Sequence, residues 1–252
     1  MGSSLLMKKW RYILQNNHFP DYLSELEACI GYTFTDRLLL LTAITHSTYT
    51  YEHKSACLEN NERLEFVGDG ILDFVIADHL YRIQSDKNEG YLSKTRSLIV
   101  CEATLAEIAC KMDLGRFLLM GKGEEMTGGR GKPSNLANTM EALFAAVYLD
   151  GGFEASRKVI TQLLSGSIEA AISGELIFDY KSRILELAQV HSGEKKVRFE
   201  IVDESGPVHD RIFTSAVILN DVEISRGFGQ SKKLAEQEAS KIAYYQCREK
   251  FS

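Results

Sequence analysis

Glu62, Glu65, Asp69 and Asp73 fall at i, i+3, i+7 and i+11, interleaved with apolar Leu64, Val67, Ile71 and Val75 at helical spacing. Residues from Asn61 to Tyr81 therefore read as one helix, with a narrow acidic stripe beside a buried face. Like charges one turn apart destabilise a helix by roughly 0.2–0.5 kcal/mol per pair. A cation would relieve that repulsion. Oxygen-only donors suit Mg²⁺ or Mn²⁺, and bound Mg²⁺ keeps positions open for water and phosphate oxygens. The competing reading is a solvated acidic face. An N-cap at Asn60 or Asn61 and the helix dipole would account for Glu62 and Glu65. Neither accounts for Asp69, which lies two turns in between Gly68 and Gly70. Glycines there cost helix stability but let another chain or a ligand come close.

A second acidic element opens with Asn138-Thr139-Met140-Glu141, where positions 138 and 141 share a helix face. Packed against the Glu65/Asp69 helix, Glu141 and the Asn138 carbonyl would complete an oxygen cage. The simpler expectation from spacing alone is that Asn138 is a helix N-cap, or that Glu141 is merely exposed. Between the two elements runs a glycine-rich stretch holding Arg130, Lys132 and Ser134, which could position a backbone phosphate. Its glycines match no phosphate-cradle spacing, so a flexible surface loop is the simpler expectation.

The elements that must position these residues form two textures. From about residue 8 to 170 the chain reads as helix after helix: Tyr22 to Ile30, Asp36 to Thr45, Asn61 to Tyr81, Tyr91 to Ile99, Glu102 to Met112 and Leu136 to Leu149. From Val197 the period changes to two. Val197 to Val202, Ile212 to Leu219 and Val222 to Ser225 predict a three-strand antiparallel meander punctuated by Gly206-Pro207 and Asn220-Asp221. Helices at Tyr180 to Val190 and Lys232 to Gln246 flank it. The fold class is thus mainly α: a helical domain over 8–168, then a small α-β-β-β-α domain over 178–248. Small residues from Ser165 to Gly174 mark the expected linker.

Composition is that of a globular protein, with 252 residues, 44% apolar and 25% charged. Neither a membrane span, a signal peptide nor a myristoylation pattern is evident, and no organic-cofactor motif stands out. The five cysteines, Cys29, Cys57, Cys101, Cys110 and Cys247, lack zinc-ligand spacing. They read as reduced, mostly buried thiols, and the expected location is cytoplasmic. Net charge is −6, yet residues 178–252 hold 12 Lys+Arg against 12 Asp+Glu, so the acidic excess lies with the carboxylate stripe. A neutral domain can still bind phosphate when its lysines share one surface.

These pieces resemble the ribonuclease III family over nearly the whole chain. The residues that carry the resemblance are Thr45-His46-Ser47, Asn61-Glu62-Arg63-Leu64-Glu65-Phe66-Val67-Gly68-Asp69 and Glu89-Gly90-Tyr91-Leu92-Ser93. Further on come Gly121-Lys122-Gly123-Glu124-Glu125, Gly128-Gly129-Arg130, Glu141-Ala142-Leu143 and Tyr148-Leu149-Asp150-Gly151-Gly152. Asp179-Tyr180-Lys181-Ser182, Gly206-Pro207-Val208-His209 and Gly227 to Gln237 resemble a double-stranded-RNA-binding domain.

The resemblance implies metal ligands at Glu65, Asp69, Asn138 and Glu141, with Asp69 and Glu141 as catalytic residues. Position 138 departs from the family, whose usual residue there is Asp; asparagine keeps a carbonyl oxygen but removes one negative charge. The implied activity is Mg²⁺-dependent hydrolysis of double-stranded RNA, with Mn²⁺ able to substitute, by in-line attack of an activated water. Products would carry 5′-phosphate and 3′-hydroxyl ends with short 3′ overhangs, as in ribosomal and messenger RNA maturation. A homodimer is implied too, with Phe66 as an aromatic knob at the interface; ordinary core burial is its alternative. Glu62 would serve the outer part of the site or pair with Arg63 or another base, and His46 would be structural.

In the C-terminal domain, Ser231 should cap the last helix and set Lys232 and Lys233 at its positive end, facing phosphates across the RNA major groove. His209, in the Gly206 to His209 loop, and Glu186 and Gln189 on the preceding helix should reach minor grooves, where 2′-hydroxyls are displayed. Leu185 stands where many relatives carry glutamine. The rival reading is a double-stranded-RNA binder whose catalysis is weakened by Asn138; a metal-buffering acidic protein is remote from both.

Overall fold

The computed structural model describes residues 22–54, 58–174, 180–192, 197–207 and 211–251. It divides into two compact units at 176/177.

The first unit is built on helices. Successive short ones are α1 (Tyr22–Ile30), α2 (Arg37–Ala43) and α3 (Ser47–Glu52). The long α4 (Glu62–Ile83) is followed by α5 (Glu89–Val100), α6 (Glu102–Lys111) and the short α7 (Lys122–Met126). The longest, α8 (Pro133–Leu163), leads into α9 (Ser165–Ile172). Local chemistry sets the starts. Asp36 accepts a hydrogen bond from the Leu38 amide at 2.9 Å, Asn88 accepts one from the Tyr91 amide at 2.9 Å, and proline occupies the first turn of α8. At α4 the two asparagines divide the work: Asn60 Oδ1 accepts from the Glu62 amide at 3.3 Å, while Asn61 is buried and makes no side-chain cap.

The central contact is α4 against α8. Ala142 to Val147 are buried on every side of α8, as expected of a helix at the centre of a unit. Gly68 lets the pair cross closely: a methyl group there would sit 1.9 Å from the Glu141 carbonyl oxygen. At Gly152, with φ 80° and ψ 179°, the helical path of α8 breaks.

Three expectations change. Ser165 to Gly174 is not a linker; Ile168 and Ala171 of α9 are buried in the core, because an i, i+3 apolar pair hides among small residues. The glycine-rich stretch before α8 is no loose loop either. Arg130 donates from Nη1 to the carbonyls of Gly115 (2.9 Å) and Leu118 (2.8 Å), tying the stretch to the preceding turn. Of the described cysteines, Cys29 and Cys110 are exposed, because they occupy the solvent faces of α1 and α6. Among the described residues, no helix is long and apolar enough to cross a membrane.

The second unit comprises α10 (Tyr180–Ser192), the antiparallel strands β1 (Val197–Ser205), β2 (Ile212–Leu219) and β3 (Val222–Gly229), and α11 (Lys232–Phe251). Strand order is β1-β2-β3. Asn220 and Asp221, at φ 52° and 65°, supply the left-handed pair that a tight two-residue hairpin needs. Ile184, Val217, Ala239 and Ala243 form the small core between helices and sheet. One irregularity lies in β1, whose register against β2 shifts between Ile201 and Asp203.

Candidate functional site

The glycine crossing assembles the first site. Glu141 is half-buried beside it. Its carboxyl is pushed up to about 7 by burial first, then by the charges of Asp69, Glu65 and Asp73. Burial and the neighbouring Glu62 raise Glu65 as well, Asp69 adds to the rise, and a hydrogen bond with the Asn138 side chain works against it. Glu65 thus meets Asn138 across the seam, and Asp69 and Glu65 lie near enough to Glu141 for their charges to act on it. Asn138 lies in the second turn of α8, so it is not the N-cap.

Among the described residues, no three His, Cys, Asp or Glu side chains form a ready-made metal cluster. One of the four oxygen donors here is an amide, and repelling carboxylates do not close on a point by themselves. The chemistry of the set still fits a hard divalent cation: every donor is oxygen, and burial together with mutual repulsion has raised the Glu65 and Glu141 carboxyls.

Other predicted residues find varied places. Glu62 is exposed and hydrogen-bonds the Asn60 amide at 3.3 Å; Arg63 pairs with Glu59 at 3.9 Å instead. His46 caps α3, accepting from the Thr48 amide at 3.3 Å. Lys132 Nζ is 3.5 Å from Glu124, and Ser134 is half-exposed on the first turn of α8. The Arg130 guanidinium also donates from Nε to Glu125 at 2.7 Å, so its Nε and Nη1 donors serve the protein itself. Phe66 is 82% exposed, which excludes core burial. It lines a groove of about 680 Å³ with Leu39, Thr42, Leu64, Val67 and Leu149. Sequence reasoning overlooked Arg96, whose Nε lies 3.6 Å from Asp73 Oδ1. Only the packing of α5 along α4 reveals it.

In the second unit Ser231 Oγ accepts from the Leu234 amide at 3.2 Å, capping α11 and setting Lys232 and Lys233 in its first turn. Lys233 is exposed, whereas Lys232 Nζ lies 3.0 Å from Glu204 Oε1. Leu185 is 40% exposed on α10. His209 and the side chains of Glu186 and Gln189 lie outside the described residues.

A helical unit with an acidic seam, followed by a basic helix end on a three-stranded sheet, is the arrangement expected of a nuclease joined to an RNA-binding module. Residues 36–168 match the family model described as ribonuclease-III-like, and residues 180–246 match the double-stranded RNA binding motif. Ribonuclease 3 of Caldanaerobacter subterraneus subsp. tengcongensis is 48% identical over 219 residues, covering 86% of this chain and 95% of that one. Ribonuclease 3 of Desulforamulus reducens is 44% identical over 224 residues, covering 89% and 91%. The solved nuclease domain of ribonuclease III from Campylobacter jejuni, described for flexibility in its region involved in dimer formation, has a TM-score of 0.53 and 38% identity, covering 57% of this chain and 96% of that one. The chain belongs to the ribonuclease III family, the endoribonucleases of double-stranded RNA.

Proposed function

We propose that the protein hydrolyses phosphodiester bonds in double-stranded RNA using a divalent cation, Mg²⁺ or in its place Mn²⁺, held by Glu65, Asp69, Asn138 and Glu141. The observation that carries this reading is the half-buried Glu141 carboxyl, pushed up to about 7 among acids that a glycine contact forces together. When bound, such an ion activates water and neutralises charge developing at phosphorus. Glu65 and Glu141 would be direct ligands, with Asp69 direct or through water. Asp69 and Glu141 are the catalytic residues. Holding the cation would need the Glu141 carboxyl in its ionised form, and the Asn138 amide hydrogen-bonds the Glu65 carboxyl. Products carry 5′-phosphate and 3′-hydroxyl ends with short 3′ overhangs, and the substrates are ribosomal and messenger RNA precursors in the cytoplasm.

Lys232 and Lys233 contact phosphates at the α11 N-terminus, with His209, Gln189 and Glu186 reaching the minor grooves. Arg130, committed to Glu125 and two carbonyls, holds its loop rather than RNA. A homodimer places Phe66 of one copy in the adjoining groove of the other. Phe66→Ala should weaken that dimer by about 2 kcal/mol or more, as for a central aromatic anchor; unchanged sedimentation would reject the assignment.

A second reading, a duplex-RNA binder with little catalysis, is favoured by Asn138 alone. Incubating duplex RNA and Mg²⁺ or Mn²⁺ with this protein and with its Asn138→Asp variant separates the two. Cleavage by both, at lower metal concentration for the variant, supports the nuclease. Cleavage by the variant alone supports the binder.

A further inference from the structure

β1 carries an acid that the RNA-contact reading leaves unused. Ahead of its register shift, Val197, Phe199 and Ile201 are the more buried positions, and Arg198 and Glu200 the exposed ones. Unbroken alternation would send residue 204 outward with Arg198 and Glu200. The bulge between Ile201 and Asp203 re-phases the strand. Glu204 then stands opposite Phe213, in the phase of β2 that also contains the fully buried Ser215 and Val217. There Glu204 Oε1 lies 3.0 Å from Lys232 Nζ, and its Oε2 lies 3.5 Å from Arg211 Nη1. Lys232 Nζ also sits 5.6 Å from the Phe213 ring centroid. One carboxylate, moved to the other phase of β1 by one inserted residue and still exposed, engages two cations beside the N-terminus of α11.

We infer that Glu204 sets the affinity of this module for RNA by competing with phosphate for Lys232 and Arg211. The inference rests on the proposed phosphate contact of Lys232. Exposed ion pairs add little to folding, so the larger effect of the carboxylate falls on what else these cations bind. An incoming phosphate meets a lysine whose charge is partly offset, with a negative charge beside it. One carboxylate shared by two cations leaves the cluster net positive, but Lys232 then adds less to the salt dependence of binding than a free lysine, which contributes about 0.7–0.9 to the slope.

The test titrates the full-length protein with an RNA duplex of about 20 base pairs, longer than the roughly 16 that one module spans. EDTA keeps the duplex uncut, and salt runs from about 50 to 200 mM. Glu204→Gln should bind about 3–10-fold tighter at low salt, with a steeper slope and an advantage that shrinks as screening grows. Glu204→Asp, which keeps the charge, should stay near the unaltered protein and control for strand packing. Lys232→Gln should weaken binding, and most of the Glu204→Gln gain should vanish in that background. If Lys232→Gln weakens binding while Glu204→Gln leaves affinity and slope unchanged, or lowers affinity, the competitor role is overturned and the phosphate contact stands. If Lys232→Gln changes nothing, the phosphate contact fails, and the inference with it.

Discussion

At the α4–α8 crossing the protein gathers charges of one sign, whereas at the N-terminus of α11 it pairs opposite ones. In the first unit Glu141 and Glu65 are partly withdrawn from water and raised by burial and by one another's company. In the second, Lys232 keeps 60% of its side-chain surface exposed and is balanced by Glu204. Withdrawal from solvent makes the seam sensitive to protons and cations but leaves salt little purchase. Exposure does the reverse. The two arrangements suit the tasks proposed for them: a cation demand for chemistry in one unit, a tunable grip on a polyanion in the other.

The largest blow to that contrast should come from Gly68→Ala. Its methyl would lie 1.9 Å from the Glu141 carbonyl oxygen, and backbone cannot move aside as a flexible side chain would. We expect a loss of about 3 kcal/mol or more in unfolding free energy, at the upper end of overpacking effects. RNA cleavage should fall with it, while duplex binding through the second unit persists. A variant with unaltered stability and cleavage would remove the crossing as the organising feature of the site.

A smaller effect sharpens the electrostatic half. The folded state holds the Glu141 proton up to about pH 7, against 4.5 for an ordinary glutamate, so it binds more protons than the unfolded chain between those values. In EDTA, this group's contribution to stability is present below about 4.5 and is lost as pH rises through about 7. Glu65 is raised too and acts with the same sign. Glu141→Gln should flatten this part of the stability profile and abolish cleavage. Denaturant titrations across that range check the first; a variant profile parallel to the original would show that Glu141 is not the titrating group.

Much of the seam is legible in the sequence because helical period is a local property: Glu65 and Asp69 on one helix, Asn138 and Glu141 on another, fix which side chains share a face. The meander is legible for the same reason, by alternation and by the Asn220-Asp221 turn. What escapes notice depends on contacts between distant residues. The burial of Ile168 and Ala171 is invisible among small neighbours. The anchoring of Arg130 needs carbonyls at 115 and 118, and Arg96 meets Asp73 only because α5 lies along α4. The re-phasing of Glu204 follows from one extra residue in β1, which the alternating letters do not reveal. Period reports the face of an element; it says nothing about what the face meets.

The Gly68 contact also ranks what can change at the seam. Asparagine and aspartate have nearly the same shape, so position 138 can exchange an oxygen for a nitrogen while every backbone distance stays put. Position 68 has no room for a single carbon. In this protein, donor identity is negotiable and clearance is not. Attempts to retune the proposed metal site therefore have freedom in side-chain chemistry, but none in how near the two main chains run.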